Sequence, residues 1–244
     1  MRQSFGVAIC RITNSEPYIL LCQRRVTYEF NEFARGKYKI TDVSKLEQLF
    51  NSMTSSEKID IVSGSFDRVW TRLTLLDRNE DNALYKKYKA SYEVFQSANV
   101  DRKFTRIIER SADGALVWEI PKGQQESRET GLATAMRETQ EEAGVPRSDY
   151  EIRGKPIAFA ITAYGITYNI SYYVGIYTGT EPRLTFANKH RVEIEQVRWW
   201  SLAEVSACPV MVYKAPILEI LARVQQKTNA SVPIDELLAR FRSL

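Results

Sequence analysis

The residues most suited to chemistry in this chain are three glutamates, Glu138, Glu141 and Glu142, which lie just before Gly144. On a helix of about 100° per residue, their spacing places them on one face. Like charges at this spacing repel one another, and they would lie at the helix end where the dipole disfavours acids. A hard divalent cation offsets this cost, because it binds carboxylate oxygens and keeps positions for water and phosphate. The pattern therefore predicts metal-assisted phosphate chemistry.

A loop suited to close contact with a ligand precedes these glutamates. Residues 118–123 read as a strand that runs into a tight turn, where Pro121 fixes the backbone and Gly123 lets the main chain approach a ligand. Lys122 is then predicted to project where a polyphosphate would lie and to assist catalysis.

Gly123, Glu129 and residues 137–145 together follow the pattern G, five residues, E, seven residues, REUxEExGU, with Thr139 at the first aliphatic position U. This pattern resembles the Nudix box. The resemblance implies an α+β fold, an αβα sandwich with a mixed sheet. It further implies that the Gly123 carbonyl joins Glu138, Glu141 and Glu142 as a metal ligand, with Glu141 also catalytic, and that Glu129 and Arg137 pair to brace the loop against the helix.

Composition restricts the class of protein only broadly. Thirty-four Lys plus Arg against 30 Asp plus Glu give a mildly basic chain of 244 residues, which permits a polyanionic partner. Cys10, Cys22 and Cys208 are odd in number and widely separated, so they suggest neither disulfides nor a zinc site and favour a reducing compartment. No apolar run approaches about 18 residues, so we expect a soluble protein without membrane association.

The elements that must position the glutamates are interrupted by a long insertion. Two strands, 5–12 and 18–24, turn around Asn14 and Ser15, but the strand that enters the box, 115–120, comes much later. The intervening residues have helical periodicity over 43–53, 56–75 and 82–97. We therefore expect three segments: 1–26 and 113–244 as one domain, and 27–112 as an all-helical insertion after the second strand.

Further elements are predicted after the box. Residues 156–164 and 168–179 read as a hairpin turned at Gly165, and 192–202 as the last strand of the sheet. Residues 215–226 predict the second helix of the sandwich, and 234–241 a short terminal helix.

The arrangement of a box and a helical insertion, together with the stretches LFNSMTSSEK, FDRVWTRL, LYKKYKASYE and LVWEIPKG, resembles the Nudix mRNA-decapping enzymes of large cytoplasmic DNA viruses, most closely the branch found in African swine fever virus. The resemblance implies a viral enzyme that acts on capped mRNA and on diphosphoinositol polyphosphates. Its location would be the host-cell cytoplasm or the virion.

Aromatic residues for the cap follow from the same resemblance. In relatives, 7-methylguanine lies between two rings, one of them in an R-R-x-x-aromatic context that Tyr28 matches, with Phe30 nearby. Such rings gain stacking and cation–π energy from the positively charged base. Tyr168 and Tyr164 are both candidates for the second ring, because Asn169 occupies the nearest matching position.

A late acidic residue is also expected at the site. Glu193 matches the glutamate that decapping relatives place opposite the box, where it would bind metal or take the proton from attacking water. Glu195 is the neighbouring alternative, and His190, the only histidine, is chemically eligible as a base.

The insertion carries basic residues interleaved with Tyr85, Tyr88 and Tyr92, a mixture that fits phosphate contacts and base stacking. A merely solvated face is the alternative. The predicted RNA-binding residues are Arg68, Arg72, Lys86, Lys87, Lys89, Arg102, Lys103 and Arg106.

The resulting hypothesis is hydrolysis of the cap pyrophosphate bond with one to three Mg²⁺ or Mn²⁺ ions, which releases 7-methyl-GDP and 5′-monophosphate RNA. Two alternatives stay open: a hydrolase of diphosphoinositol or dinucleoside polyphosphates, and an RNA-binding protein on a Nudix scaffold. The oligomeric state is also open, with a homodimer as one option.

Overall fold

The structure, a computed structural model, describes residues 2–163, 166–179 and 192–228. The described chain divides into two compact units. Arg24–Val117 forms the insertion unit, which begins slightly before and ends slightly after the limits 27 and 112 expected from the sequence. The described residues on either side of it form the core unit. None of the described helices combines the length and apolar content needed to span a bilayer.

The insertion unit is built from helices: α1 Tyr28–Ala34, α2 Val43–Ser52, α3 Ser55–Val62, α4 Phe66–Thr74, α5 Ala83–Ala98 and α6 Lys103–Arg110. Four of them begin at a residue whose side chain accepts a backbone N–H: Thr27 for α1, Asp42 for α2, Thr54 for α3 and Asn82 for α5. The helix expected over 56–75 is two helices, because the chain turns at Gly64 with φ of 76°. Helices α1 and α6 were not predicted.

The core unit begins with a hairpin of β1 Arg2–Thr13 and β2 Glu16–Arg24. Asn14 and Ser15 both have positive φ, 52° and 65°, which is typical of the tight two-residue turn that suits twisted strands. The predicted turn is therefore where the sequence placed it.

The sheet is completed by β3 Trp118–Glu119, β4 Lys122–Gln124, β5 Tyr150–Ile152, β6 Ile157–Ala163, β7 Ile166–Tyr177 and β8 Ile194–Ser201. Its order is β3-β2-β1-β7-β5, with β4 on β1, β6 on β7 and β8 on β2. Strands β1 and β7 are parallel, whereas β1 pairs with β2 and β4 in the antiparallel sense. This mixed sheet confirms the predicted α+β class.

Helices cover both faces of the sheet: α7 Gly131–Ala143 on one, and α8 Leu202–Ala207 with α9 Lys214–Thr228 on the other. Successive side chains of β1 point to opposite faces of the sheet and pack in two different cores. Val7 and Ile9 pack in the cluster that contains Ala135 of α7. Ala8 and Cys10 pack in the cluster that contains Ile217 and Leu221 of α9. The core unit is therefore a three-layer sandwich.

Three expectations about elements need correction or fall outside the description. Of residues 115–120, which were expected to form a strand, only Trp118–Glu119 do so. Pro121, two residues after Glu119, has no N–H to donate to a neighbouring strand. The hairpin turn at Gly165 and the helix expected over 234–241 lie outside the described residues.

Candidate active site

Helix α7 carries the three glutamates as predicted. It begins at Thr130, whose side chain accepts the Ala133 N–H, and ends at Gly144, where φ is 68° and the N–H donates to the Gln140 carbonyl. Thr139, at the aliphatic position of the box, is fully buried and its hydroxyl donates to the Ala135 carbonyl at 2.8 Å. This local bond satisfies the hydroxyl, so the helix tolerates the departure from the pattern.

Glu138 lies against β4, the short strand that contains Gly123. A Cβ added to Gly123 would overlap the Glu138 carboxylate, so the main chain and the carboxylate can approach this closely only at glycine. Pairing of Gly123 with Phe5 of β1 fixes the loop to the sheet. Burial raises the pKa of Glu138, and the charge of Arg137 opposes this rise.

Arg137 and Glu129 form a bidentate ion pair. Arg137 Nε and Nη2 donate to the two carboxylate oxygens of Glu129 at 2.8 and 3.1 Å. Arg137 Nη1 also donates to Glu138 at 2.7 Å and to Glu141 at 3.1 Å. Mainly because of Arg137, the pKa of Glu129 is lowered to about 2. The pair thus ties the loop to α7 and holds two of the box glutamates.

Glu142 is the most enclosed of the three glutamates. Its Oε2 accepts the backbone N–H of Lys122 at 2.9 Å, which links the helix to the loop. Burial raises the pKa of Glu142 to about 8, and the negative charge of Glu119 adds to this effect, while Lys122 opposes it.

Glu119 and Tyr213 were missed by the sequence analysis. Glu119 is 1% exposed and accepts a hydrogen bond from Lys122 Nζ, so the lysine forms a buried ion pair rather than pointing freely to solvent. The Lys122 ammonium also lies 5.4 Å from the centre of the Tyr213 ring. An acidic residue within the apolar strand sequence VWEI, three residues before a lysine, was the available signal for Glu119. No sequence signal indicated Tyr213, whose φ is 59°.

The donor set suits a hard divalent cation. The glutamates and the Gly123 carbonyl offer only oxygen, and Glu138 already lies against Gly123. Within the described ranges, no three His, Cys, Asp or Glu side chains converge on one point. Arg137 holds both Glu138 and Glu141 through one nitrogen, and those two carboxylates would have to turn from it to share an ion.

Glu193 lies just before β8 and is exposed. Its negative charge is close enough to Glu138 to contribute, as the smallest of several causes, to the raised pKa there. Glu195 is exposed within β8, after the buried Ile194. His190 lies outside the described residues. The described structure therefore brings the Glu193 carboxylate into the electrostatic surroundings of Glu138.

The aromatic candidates differ in accessibility. Tyr28 begins α1 and is 36% exposed, with the Arg24 guanidinium 4.4 Å from the centre of its ring. Phe30 is fully buried in the core of the insertion unit, so its ring packs there and is not available to stack on a base. Tyr168 in β7 is half-buried and close enough to Tyr213 to raise its pKa, although burial is the main cause. Tyr164 lies outside the description.

Within the described structure, the predicted basic residues of the insertion unit fall into two groups, those that pair with an acidic side chain and those that do not. Arg68 and Arg72 both contact the buried carboxylate of Asp60, so they brace α3 against α4. Tyr85 and Tyr92 are buried and therefore pack rather than stack on bases. Others have an acidic neighbour, Lys89 near Glu80 and Arg102 at Glu109. No ion pair is recorded in this unit for Lys86, Lys87, Lys103 and Arg106.

Comparison with known proteins agrees with the box. Residues 100–219 match the family described as NUDIX domain. The mRNA-decapping protein g5R of African swine fever virus (isolate Pig/Kenya/KEN-50/1950) is 32% identical over 160 residues, which cover 62% of this chain and 63% of that protein. A protein of Acanthamoeba polyphaga mimivirus that is named for mRNA decapping is 25% identical over 236 residues, 84% of this chain and 64% of its own length. The chain thus spans less than two thirds of the length of either relative.

Among solved structures, a binary complex of the C. elegans Ap4A hydrolase is similar with a TM-score of 0.48 and 12% identity, covering 93% of this chain and 99% of that one. Nudix hydrolases generally need divalent metal ions. The box on α7, the mixed sheet between helices and the match over residues 100–219 agree with one another, so this part of the chain carries a NUDIX domain.

Proposed function

We propose that this chain is a viral mRNA-decapping enzyme that hydrolyses the 5′ cap pyrophosphate bond and releases 7-methyl-GDP and 5′-monophosphate RNA. The observation that carries the proposal is the box arrangement, in which Glu138 lies against Gly123 and Glu142 accepts the Lys122 N–H. Similarity to the decapping proteins of African swine fever virus and mimivirus supports capped RNA as the substrate. An enzyme with this substrate would act in the host-cell cytoplasm.

The residues would divide the work as follows. Glu138, Glu141, Glu142 and the Gly123 carbonyl would hold Mg²⁺ or Mn²⁺, which neutralises phosphate charge and lowers the pKa of bound water. The Glu193 carboxylate would contribute to this metal site or take the proton from the attacking water. Lys122, held by Glu119, would place a positive charge beside the phosphates, and Glu129 with Arg137 would keep the loop and helix in register.

Aromatic residues would select the methylated base. Of Tyr28 and Phe30, only Tyr28 is exposed, so its ring is the one in the insertion unit that could stack on the base. Stacking of the cationic base on a tyrosine contributes about 1–3 kcal/mol, enough to separate methylated from unmethylated caps.

A parallel product assay tests the proposal. RNA labelled in the cap phosphates and an inositol pyrophosphate would each be incubated with the wild type and with Glu141→Gln, in Mg²⁺ and in Mn²⁺. We expect labelled 7-methyl-GDP from the wild type and little from the variant. Cleavage of the inositol pyrophosphate alone would instead assign the site to that substrate, and binding of RNA without any hydrolysis would make the chain a binding protein.

A further inference from the structure

We propose that a groove between α2 and α6 of the insertion unit binds the sugar-phosphate backbone of single-stranded RNA. The groove has a volume of about 560 Å³, and Lys103, Arg106 and Arg110 of α6 line it. The inference deepens the proposed function, because it rests on RNA being the substrate and names where the insertion unit would hold it.

Local structure explains why these three cations share one side of α6. At about 100° per residue, positions 103, 106 and 110 fall within roughly 60° of one another. Phe104 and Ile108 face the core instead, and the Phe104 ring stacks on Phe95 at 5.2 Å between centroids. The burial of one side of the helix therefore presents the cations together on another.

Asn99 fixes the start of this helix. Its Oδ1 accepts the backbone N–H groups of Phe104 and Thr105 at 2.8 and 3.2 Å, and its Nδ2 donates to the Thr105 hydroxyl at 2.9 Å. These bonds hold α6 although Asp101 and Arg102, just before it, both have positive φ. The direction of the cationic side is thus set by a specific cap.

The cations of the groove are not neutralised within the described insertion unit. No ion pair is recorded there for Lys103, Arg106 or Arg110, although Glu47 and Asp101 also line the groove. Arg68 and Arg72, by contrast, are committed to Asp60. Three positive charges on one side of a short helix repel one another, and a polyanion would offset this cost.

The opposite wall is held by hydrogen bonds. Asn51 of α2 accepts the Ala112 N–H at 3.0 Å, and the buried Lys58 donates to the Ser111 hydroxyl at 3.0 Å and to the Ala112 carbonyl at 2.6 Å. Val100, which is 66% exposed, adds apolar surface to the groove. A fixed cationic groove with exposed apolar surface suits a chain that offers both phosphates and sugars or bases.

The test reverses the charge of two arginines of the groove and compares that variant with one in which two lysines outside the groove are reversed. The variant is Arg106→Glu with Arg110→Glu, and the control is Lys37→Glu with Lys39→Glu, two exposed lysines outside the groove that have the same change of charge. Affinity for a 5′-labelled, uncapped single-stranded RNA would be measured by fluorescence anisotropy at several salt concentrations.

We expect the groove variant to bind RNA about 10-fold or more weakly and to lose about 1.4 from the slope of log K against log salt, because each lost phosphate contact removes about 0.7. The control should bind nearly as the wild type does. Arg106→Gln with Arg110→Gln provides a second variant that adds no acidic groups, should the reversal prevent a cooperative thermal melt.

Hydrolysis of the cap dinucleotide, measured in parallel, separates this inference from the proposed function. Unchanged RNA affinity and salt slope in a folded groove variant would overturn the inference even if the dinucleotide is cleaved. Loss of RNA affinity in an enzyme that cleaves no cap would support the groove as an RNA site and refute decapping instead.

Discussion

The Glu138 carboxylate occupies the space that a side chain at Gly123 would fill. Gly123→Ala should therefore displace Glu138 and lower the hydrolysis rate by about 10-fold or more, because a metal-ligating carboxylate would leave its position. Since the displaced group is the end of a flexible side chain, the free energy of unfolding should fall by less than about 1.5 kcal/mol. Steady-state kinetics and urea denaturation measure the two effects.

Gly154→Ala is the matched control for this substitution. Gly154 has φ of 77° and open space around it, so alanine should cost about 1 kcal/mol of stability through backbone strain and leave the rate unchanged. If Gly123→Ala retained full activity, the close approach of Glu138 to the loop would have no role in the reaction.

The buried ion pair of Lys122 and Glu119 predicts a coupling in stability. Lys122→Met should destabilise the protein by about 3–5 kcal/mol, because it leaves the buried Glu119 carboxylate without its lysine. Adding Glu119→Gln should recover most of that loss, as measured by denaturant unfolding of both single variants and the double variant. Additive effects of the two substitutions would show that the pair is not coupled in the folded protein.

The low pKa of Glu129 predicts that the stability of the protein depends on pH. Its pKa falls to about 2 in the folded protein, below the value of 4.5 for an unperturbed glutamate, so the carboxylate stabilises the fold above about pH 4.5. This contribution should be lost as the pH falls from 4.5 towards 2. Thermal melts across that range should show Glu129→Gln less stable than the wild type at the upper end and equal to it at the lower end.

Glu126→Gln is the control, because Glu126 is exposed and no ion pair of its side chain is recorded among the described residues. A difference between wild type and Glu129→Gln that stayed constant across the range would mean that the Arg137 pair does not lower the pKa of Glu129.

Tyr28 predicts selectivity for the methylated cap. Tyr28→Ala should lower hydrolysis of methylated caps by about 10-fold to 100-fold and remove the preference over unmethylated caps, whereas Tyr28→Phe keeps the ring and should retain both. Turnover of an inositol pyrophosphate should barely change, because it has no aromatic face. Equal losses on all substrates would make Tyr28 a packing residue.

The sequence predicted elements well where its periodicity was unambiguous. The apolar stripe of α7, its glycine cap and the facing glutamates are all local features, so they could be inferred without the fold. Helices α3 and α4 were merged because apolar residues continue in helical spacing across Ser63–Ser65, and only the positive φ of Gly64 separates them.

The remaining differences depend on contacts distant in sequence. Because α1 was not predicted, Phe30 was named beside Tyr28 as a cap-binding candidate, yet residues two apart on a helix point about 200° apart, and Phe30 is buried. Similarly, the contact of Tyr213 with Lys122 joins residues far apart in the chain. Periodicity and spacing contain no information on such contacts.

Metal dependence in wild type and Glu142→Gln tests the central claim most directly. Release of 7-methyl-GDP from capped RNA would be measured with chelator, with Mg²⁺ and with Mn²⁺. We predict that chelator abolishes release, that a divalent ion restores it, and that Glu142→Gln lowers the rate about 100-fold to 10,000-fold while still melting cooperatively. Undiminished release in chelator, or near-wild-type activity of a folded Glu142→Gln, would contradict the assignment of the box glutamates to metal-assisted hydrolysis.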